Sequence, residues 1–120
     1  MPHSHLPHNH GTHPEDLLDT VSNIENFQMI SDVFRQLSDG NRLRLFWILC
    51  HCEECVINLA AMMDMSSPAL SHHLKLLKDA GLIVSRREGK EVYYKVADTP
   101  QCKMLHNMIE TQMDISCPET

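Results

Sequence analysis

Cys52 and Cys55 stand three residues apart with two glutamates between them, and five of the chain's nine histidines, His3, His5, His8, His10 and His13, lie in its first 13 residues. A C-x₂-C spacing lets two thiolates grip one soft or borderline ion. The same spacing also arises where two small residues close a helix connection. His3, His5, His8 and His10 would complete a thiolate site of a kind suited to Zn²⁺ or Cd²⁺; the plainer account is a tail that collects metal without consequence. A second set of donors, Cys102, His106 and Glu110, recurs at i, i+4 and i+8, which puts them on one face of a helix, with Asp98 shortly before it. Polar decoration of a half-exposed helix explains that spacing equally well. Cys50 and His51 rank behind these groups as ligands, because Cys50 ends an apolar run and is expected as a buried structural thiol. Five cysteines is an odd count, and the first residues lack the apolar centre of a signal peptide, so neither secretion nor a disulfide framework is expected.

Enzymatic chemistry finds little support. The chain has neither a glycine-rich phosphate loop nor a nucleophile elbow. His51 adjoins Cys50 and Cys52, but neighbours in sequence do not make catalytic geometry. A non-enzyme is expected. The longest apolar run, Leu45 to Cys50, is too short to cross a membrane, so a cytoplasmic protein without membrane association is expected.

Charge is distributed unevenly. The 120 residues carry a formal net charge of −6, yet residues 66–95 hold Lys75, Lys78, Arg86, Arg87, Lys90 and Lys95 against Asp79, Glu88 and Glu91. Contacts to phosphate depend on that local field rather than on the total.

The elements that must position these groups read as follows. Residues 1–18 form a His-rich arm unable to bury a core, 19–115 one folded domain, and 116–120 a tail. Ile24, Phe27, Ile30, Phe34 and Leu37 predict a helix over about residues 19–37. Asp39 caps a second helix over about 41–50, buried through Leu43, Phe46, Trp47 and Leu49. Cys52 to Cys55 is a connection, and a short helix over about 56–63 follows. After a turn at Asp64-Met65, Ser66 or Ser67 caps a helix that carries Pro68 in its first turn, turns Leu70, Leu74 and Leu77 inward, and stops at Gly81. Residues 82–87 and 91–96 pair as a hairpin with a basic tip. Met104, Leu105, Met108, Ile109 and Met113 line a last helix ending near Asp114.

The result is a mainly α fold with a small β-hairpin, a winged helix-turn-helix. Ser66, Ser67, Ala69, Ser71, His72 and Lys75 are placed toward a DNA groove, and Arg86, Arg87 and Lys90 toward phosphate or the minor groove. His73 is expected to pack or hydrogen-bond within the domain.

Three segments resemble the ArsR/SmtB family of bacterial winged-helix repressors, in order along the chain. They are Leu37-Ser38-Asp39-Gly40-Asn41-Arg42-Leu43-Arg44-Leu45, the run from Ser66-Ser67-Pro68-Ala69-Leu70-Ser71-His72-His73-Leu74-Lys75 to Ile83, and Arg86-Arg87-Glu88-Gly89-Lys90-Glu91-Val92-Tyr93-Tyr94. The resemblance implies a homodimer joined through its first and last helices, binding to an inverted-repeat operator in double-stranded DNA, and release by an inducer. Many members sense metals. Where such members carry Glu-Leu-Cys-Val-Cys-Asp-Leu-Ala, this chain has Glu53-Glu54-Cys55-Val56-Ile57-Asn58-Leu59-Ala60: Cys55 matches the first cysteine and Ile57 replaces the second. The family's last-helix site matches at Asp98 but meets Pro100 and Thr111 at two other ligand positions. The expectation is a repressor released by a Zn²⁺- or Cd²⁺-like ion at Cys52 and Cys55 with His3, His5, His8 and His10; the second choice of ligands is Asp98, Cys102, His106 and Glu110. A redox- or reactive-sulfur-responsive repressor of the same fold, and a small metal-trafficking protein, are the alternatives.

Overall fold

A computed structural model describes residues 6–114. The contacts divide the chain into two units, up to Val33 and from Phe34 onward. In the first, a 3₁₀ turn over Pro14–Leu17 leads into α1 (Leu18–Val21), and α2 (Ile24–Leu37) begins after a break, its last four residues belonging to the second unit. The single helix expected from residue 19 is therefore two. Asn23 accounts for the break: its Oδ1 accepts from the Asn26 N–H at 3.3 Å, and short polar side chains favour such caps over helix interiors. The apolar stripe of α2 has the expected helical period. However, Ile24, Phe27, Ile30 and Phe34 are all exposed, and of the five expected residues only Leu37 is buried.

The second unit is built around α3 (Gly40–His51), α4 (Val56–Met63), α5 (Ser67–Asp79) and α6 (Pro100–Met113). The Asp39 side chain accepts from the Arg42 N–H and starts α3. Leu45, Phe46, Leu49, Leu59, Met63, Leu70, Leu74, Leu77, Leu82 and Ile83 make the core, and α3 contributes Leu45 where Leu43 and Trp47 were expected to be inside. Both of those are half-buried.

Residues 52–55 are not simply a connection. Glu54–Cys55 forms β1, which pairs with β3 (Glu91–Val96), itself paired with β2 (Ile83–Glu88), so the hairpin becomes a three-stranded antiparallel sheet in the order β1-β3-β2. Two residues carry no detectable alternation, which is why the sequence pattern misses β1. Gly81, at φ +76°, ends α5 in the left-handed region that side chains avoid, and Leu82 then turns back into the core.

Candidate nucleic-acid interface and metal-binding groups

Helix α5 starts at Ser66, whose Oγ accepts from the Ala69 N–H at 3.3 Å, with Pro68 in its first turn. Leu70, Leu74 and Leu77 hold it to the core, and the 3.6-residue period then leaves Ser67, Ala69, Ser71, His72 and Lys75 all exposed. Two contacts fix its orientation. His73 Nδ1 lies 3.4 Å from Arg42 Nη1 and 4.0 Å from the Asp39 carboxylate, which joins α5 to the start of α3 as expected. Lys78 Nζ donates to Ser85 Oγ at 2.7 Å, which fastens α5 to β2 of the hairpin.

The hairpin's four basic residues, Arg86, Arg87, Lys90 and Lys95, are not equivalent. Arg86 donates from Nε to both Glu53 carboxylate oxygens at 3.0 Å, from Nη2 to Glu53 Oε1 at 2.7 Å, and from Nη1 to Glu88 Oε2 at 2.6 Å. Its guanidinium also stands 4.9 Å from the centre of the Tyr93 ring. The Glu53 hydrogen bonds, then those of Glu88, raise the Arg86 pKa further, and the same Arg86 bonds hold Glu53 below the usual carboxylate range. Arg86 is thus a local anchor whose charge two carboxylates already answer. Arg87 and Lys90 are exposed and have no ion pair among the described residues. Lys95 is exposed as well, and so is Lys75, although Lys75 keeps Asp79 at 2.7 Å.

The thiols fall in different surroundings. Cys52 follows α3, is exposed, and donates its S–H to the Ile48 carbonyl at 3.5 Å. Partial burial and then the neighbouring Glu54 carboxylate push its pKa up, away from thiolate. Cys55 is buried in β1 opposite Tyr93. Cys50, expected to be buried, is half-exposed. His8 and His10 stack with ring centres 5.9 Å apart in the first unit; His3, His5 and Cys117 lie outside the described residues.

The last-helix donors are not surface decoration. Cys102 is fully buried and donates to the Leu82 carbonyl at 3.5 Å, and Glu110 is 8% exposed. Asp98 is separate from them: it is exposed and pairs with Lys103 at 3.6 Å. His106 and Glu110 instead meet His51, the residue ranked behind the others from sequence. His106 Nε2 is 3.1 Å from His51 Nε2 and 2.9 Å from Glu110 Oε2, and His51 Nε2 is 3.3 Å from the same oxygen. Trp47 Nε1 donates to Glu110 Oε2 at 3.1 Å, and its ring tilts over His51 at 4.4 Å. Among the described residues this is the one group of three such donors within ligating reach of one another. The sequence signal was present as two i, i+4 pairs, Trp47/His51 and His106/Glu110; what was missing was that their helices face each other.

The segment over residues 39–85 matches the model of the family described as bacterial regulatory protein, arsR family. A transcriptional repressor SmtB homolog of Synechocystis is 41% identical over 78 residues, covering 65% of this chain and 59% of its own length, so this chain spans about three fifths of that relative. The cadmium resistance transcriptional regulatory protein CadC of Listeria innocua is 39% identical over 85 residues, covering 68% of this chain and 71% of its own. Among solved structures, the homodimeric winged helix-turn-helix DNA-binding domain of a possible ArsR-family regulator from Mycobacterium bovis superposes with a TM-score of 0.65 at 26% identity, covering 89% of this chain and 90% of that one. NolR from Sinorhizobium fredii shares the fold, with a TM-score of 0.72 at 21% identity over 79% of this chain and 94% of its own.

Proposed function

The chain belongs to the arsR family of bacterial regulatory proteins, and from that premise we propose that it is a cytoplasmic homodimeric repressor, bound to an inverted-repeat operator and released by a Zn²⁺- or Cd²⁺-like ion. The observation that carries DNA binding is the exposed polar face of α5 (Ser67, Ala69, Ser71, His72, Lys75) fastened through Lys78 and Ser85 to a hairpin whose Arg87 and Lys90 point outward. A helix with small polar residues at its exposed N-terminal half can approach base edges closely, while a basic hairpin beside it binds phosphate. No helix among the described residues is long and apolar enough to cross a membrane.

Dimerisation is supported by the unburied apolar residues of α2, and separately by Met104, Met108 and Met113 of α6, which a lone chain leaves to water. Metal response is supported by relatives named as cadmium and arsenical resistance regulators. One place for the ion is Cys52 and Cys55, of which Cys55 matches a ligand position that the resemblance implies. An ion drawn onto those thiols would shift Glu53 between them, and Glu53 holds the wing's Arg86. Both cysteines would first have to lose protons.

A redox or reactive-sulfur inducer is the second reading, favoured by one feature: Cys50 and Cys102 line the same cleft. Operator binding by the reduced protein, titrated with Zn²⁺, Cd²⁺ and a disulfide oxidant at fixed salt, separates the readings. We expect Zn²⁺ or Cd²⁺ to weaken binding about 5–150-fold, the usual range of allosteric coupling. Release by oxidant alone would replace the metal reading, and metal binding without operator affinity would indicate a trafficking protein. Arg87→Ala with Lys90→Ala should weaken binding to all sequences alike and flatten its salt dependence.

A further inference from the structure

We propose that His51, His106 and Glu110 form a divalent-cation site of the Zn²⁺ class, built within one protomer, that clamps the C-terminal end of α3 to the middle of α6. It deepens the metal-responsive reading and rests on it for its regulatory consequence; the site itself rests on geometry.

The donor atoms are already spaced for an ion. Their separations are 3.1 Å (His51 Nε2 to His106 Nε2), 2.9 Å (His106 Nε2 to Glu110 Oε2) and 3.3 Å (His51 Nε2 to Glu110 Oε2). Donors about 2.05 Å from a tetrahedral Zn²⁺ stand about 3.3 Å from one another. A triangle with the observed edges has a circumradius of about 1.8 Å, so an ion about 2.05 Å from each corner would sit about 1 Å off its plane, close to the tetrahedral arrangement.

In a mixed tautomer one Nε2–H is shared between Glu110 Oε2 and the other imidazole's Nε2 lone pair, so hydrogen bonding holds the metal-free triangle together; the symmetric tautomers differ. Protons on both Nε2 atoms could each be directed at Glu110 Oε2, but the two N–H groups would then face each other across 3.1 Å, with Trp47 Nε1–H on the same oxygen. With both protons on Nδ1, the three lone pairs converge on one point, and a cation there answers all of them. The Trp47 N–H then acts as an outer support that orients the carboxylate. The surroundings suit a retained ion. Glu110 is buried, His51 and His106 are half-buried, and Trp47 covers one side. His106 also borders a cleft of about 380 Å³, which brings water up to one of the three donors. Two imidazoles and a carboxylate favour Zn²⁺, Co²⁺ or Ni²⁺ over thiophilic ions.

Occupation would couple two elements that the sequence holds 55 residues apart. Helix α6 carries the exposed Met104, Met108 and Met113, so a clamp between α3 and α6 would bias the presentation of that apolar face.

The test uses the reduced full chain, stripped of metal by chelation and titrated with Co²⁺ alone. In the protein carrying Cys52→Ser and Cys55→Ser, we expect visible ligand-field bands of a four-coordinate ion without the near-ultraviolet charge-transfer band of a cobalt–thiolate bond. In that background His51→Gln, His106→Gln and Glu110→Gln should each weaken the binding at least tenfold. Glu110→Gln keeps an acceptor for Trp47, so it guards against a variant that merely misfolds. Loss of all Co²⁺ binding with the cysteine replacements, Co²⁺ binding indifferent to His51→Gln and His106→Gln in the cysteine-replaced protein, or no binding at all would overturn the site. Operator affinity measured in parallel keeps the two readings apart: Co²⁺ bound at the triad with operator binding unmoved sustains the site and removes the metal-released repressor.

Discussion

Replacing Glu110 with Ala tests the energetic core of the α3–α6 junction without any metal. Glu110 Oε2 accepts from Trp47 Nε1 at 3.1 Å and lies 2.9 Å from His106 Nε2 and 3.3 Å from His51 Nε2, with the residue 8% exposed. A hydrogen bond to a charged group contributes about 1.5–3 kcal/mol, and a buried donor left without a partner costs about 1–3 kcal/mol. Trp47, His51 and His106 are half-buried, so water recovers part of this loss. Removal of the carboxylate in chelator should therefore destabilise the fold by about 2–3 kcal/mol, whereas Glu110→Gln, which still accepts from Trp47, should lose only about 1 kcal/mol. For a domain of this size, about 4 °C of Tm accompanies each kcal/mol, so the Ala variant should melt about 8–12 °C lower. The assay is thermal and urea unfolding followed by the fluorescence of Trp47, the chain's one tryptophan. Protein concentration must be held fixed, because a dimer's apparent stability follows mass action. The folded Ala variant should also show a shifted Trp47 emission. Equal melting of wild type and Glu110→Ala, or equal losses in Ala and Gln variants, would refute the view that this carboxylate organises the junction.

Glu53→Gln should weaken the hold on Arg86 and release its charge for DNA, steepening the dependence of log K on log salt by about 0.9 for each added phosphate contact. An unchanged slope in a fluorescence-anisotropy titration would show that Arg86 does not reach phosphate even when freed. Asp39 is held below the usual carboxylate range, first by the Arg42 backbone N–H it caps and then by the Arg42 and His73 charges, against the opposing effect of burial. A depressed folded-state pKa contributes stability that is complete above the ordinary carboxylate value and is lost as pH falls toward the folded one. Wild-type Tm should thus fall more steeply below about pH 5 than that of Asp39→Asn, which caps without titrating; parallel Tm–pH curves would remove Asp39 from the acid sensitivity.

Elements whose signal is local were legible from the chain alone. Ser66, Pro68 and Gly81 bound α5 because a cap, a missing donor and a positive φ are each satisfied within a few residues. The inward Leu70, Leu74 and Leu77, the outward Ser71, His72 and Lys75, and the hairpin turning at Gly89 follow from periods of 3.6 and 2. Periodicity also identified the apolar face of α2, but it does not say what covers a face, and Ile24, Phe27, Ile30 and Phe34 are exposed in the single chain.

The tertiary structure decided whatever depends on residues far apart meeting. Strand β1 exists because Glu54 and Cys55 lie beside Tyr94 and Tyr93, a pairing across 38 or more positions that two residues cannot announce. Arg86 read as a free phosphate contact until the fold placed Glu53, 33 residues earlier, against its guanidinium. His51 looked like a helix end, and Glu110 like a solvated carboxylate on a half-exposed helix, because each donor's chemistry depends on the other two. A cation site is a condition on distances near 3 Å, and sequence spacing constrains such distances only within one helix. The pairs Trp47/His51 and His106/Glu110 were therefore written locally, and only the packing of α3 on α6 brought His51, His106 and Glu110 to one point.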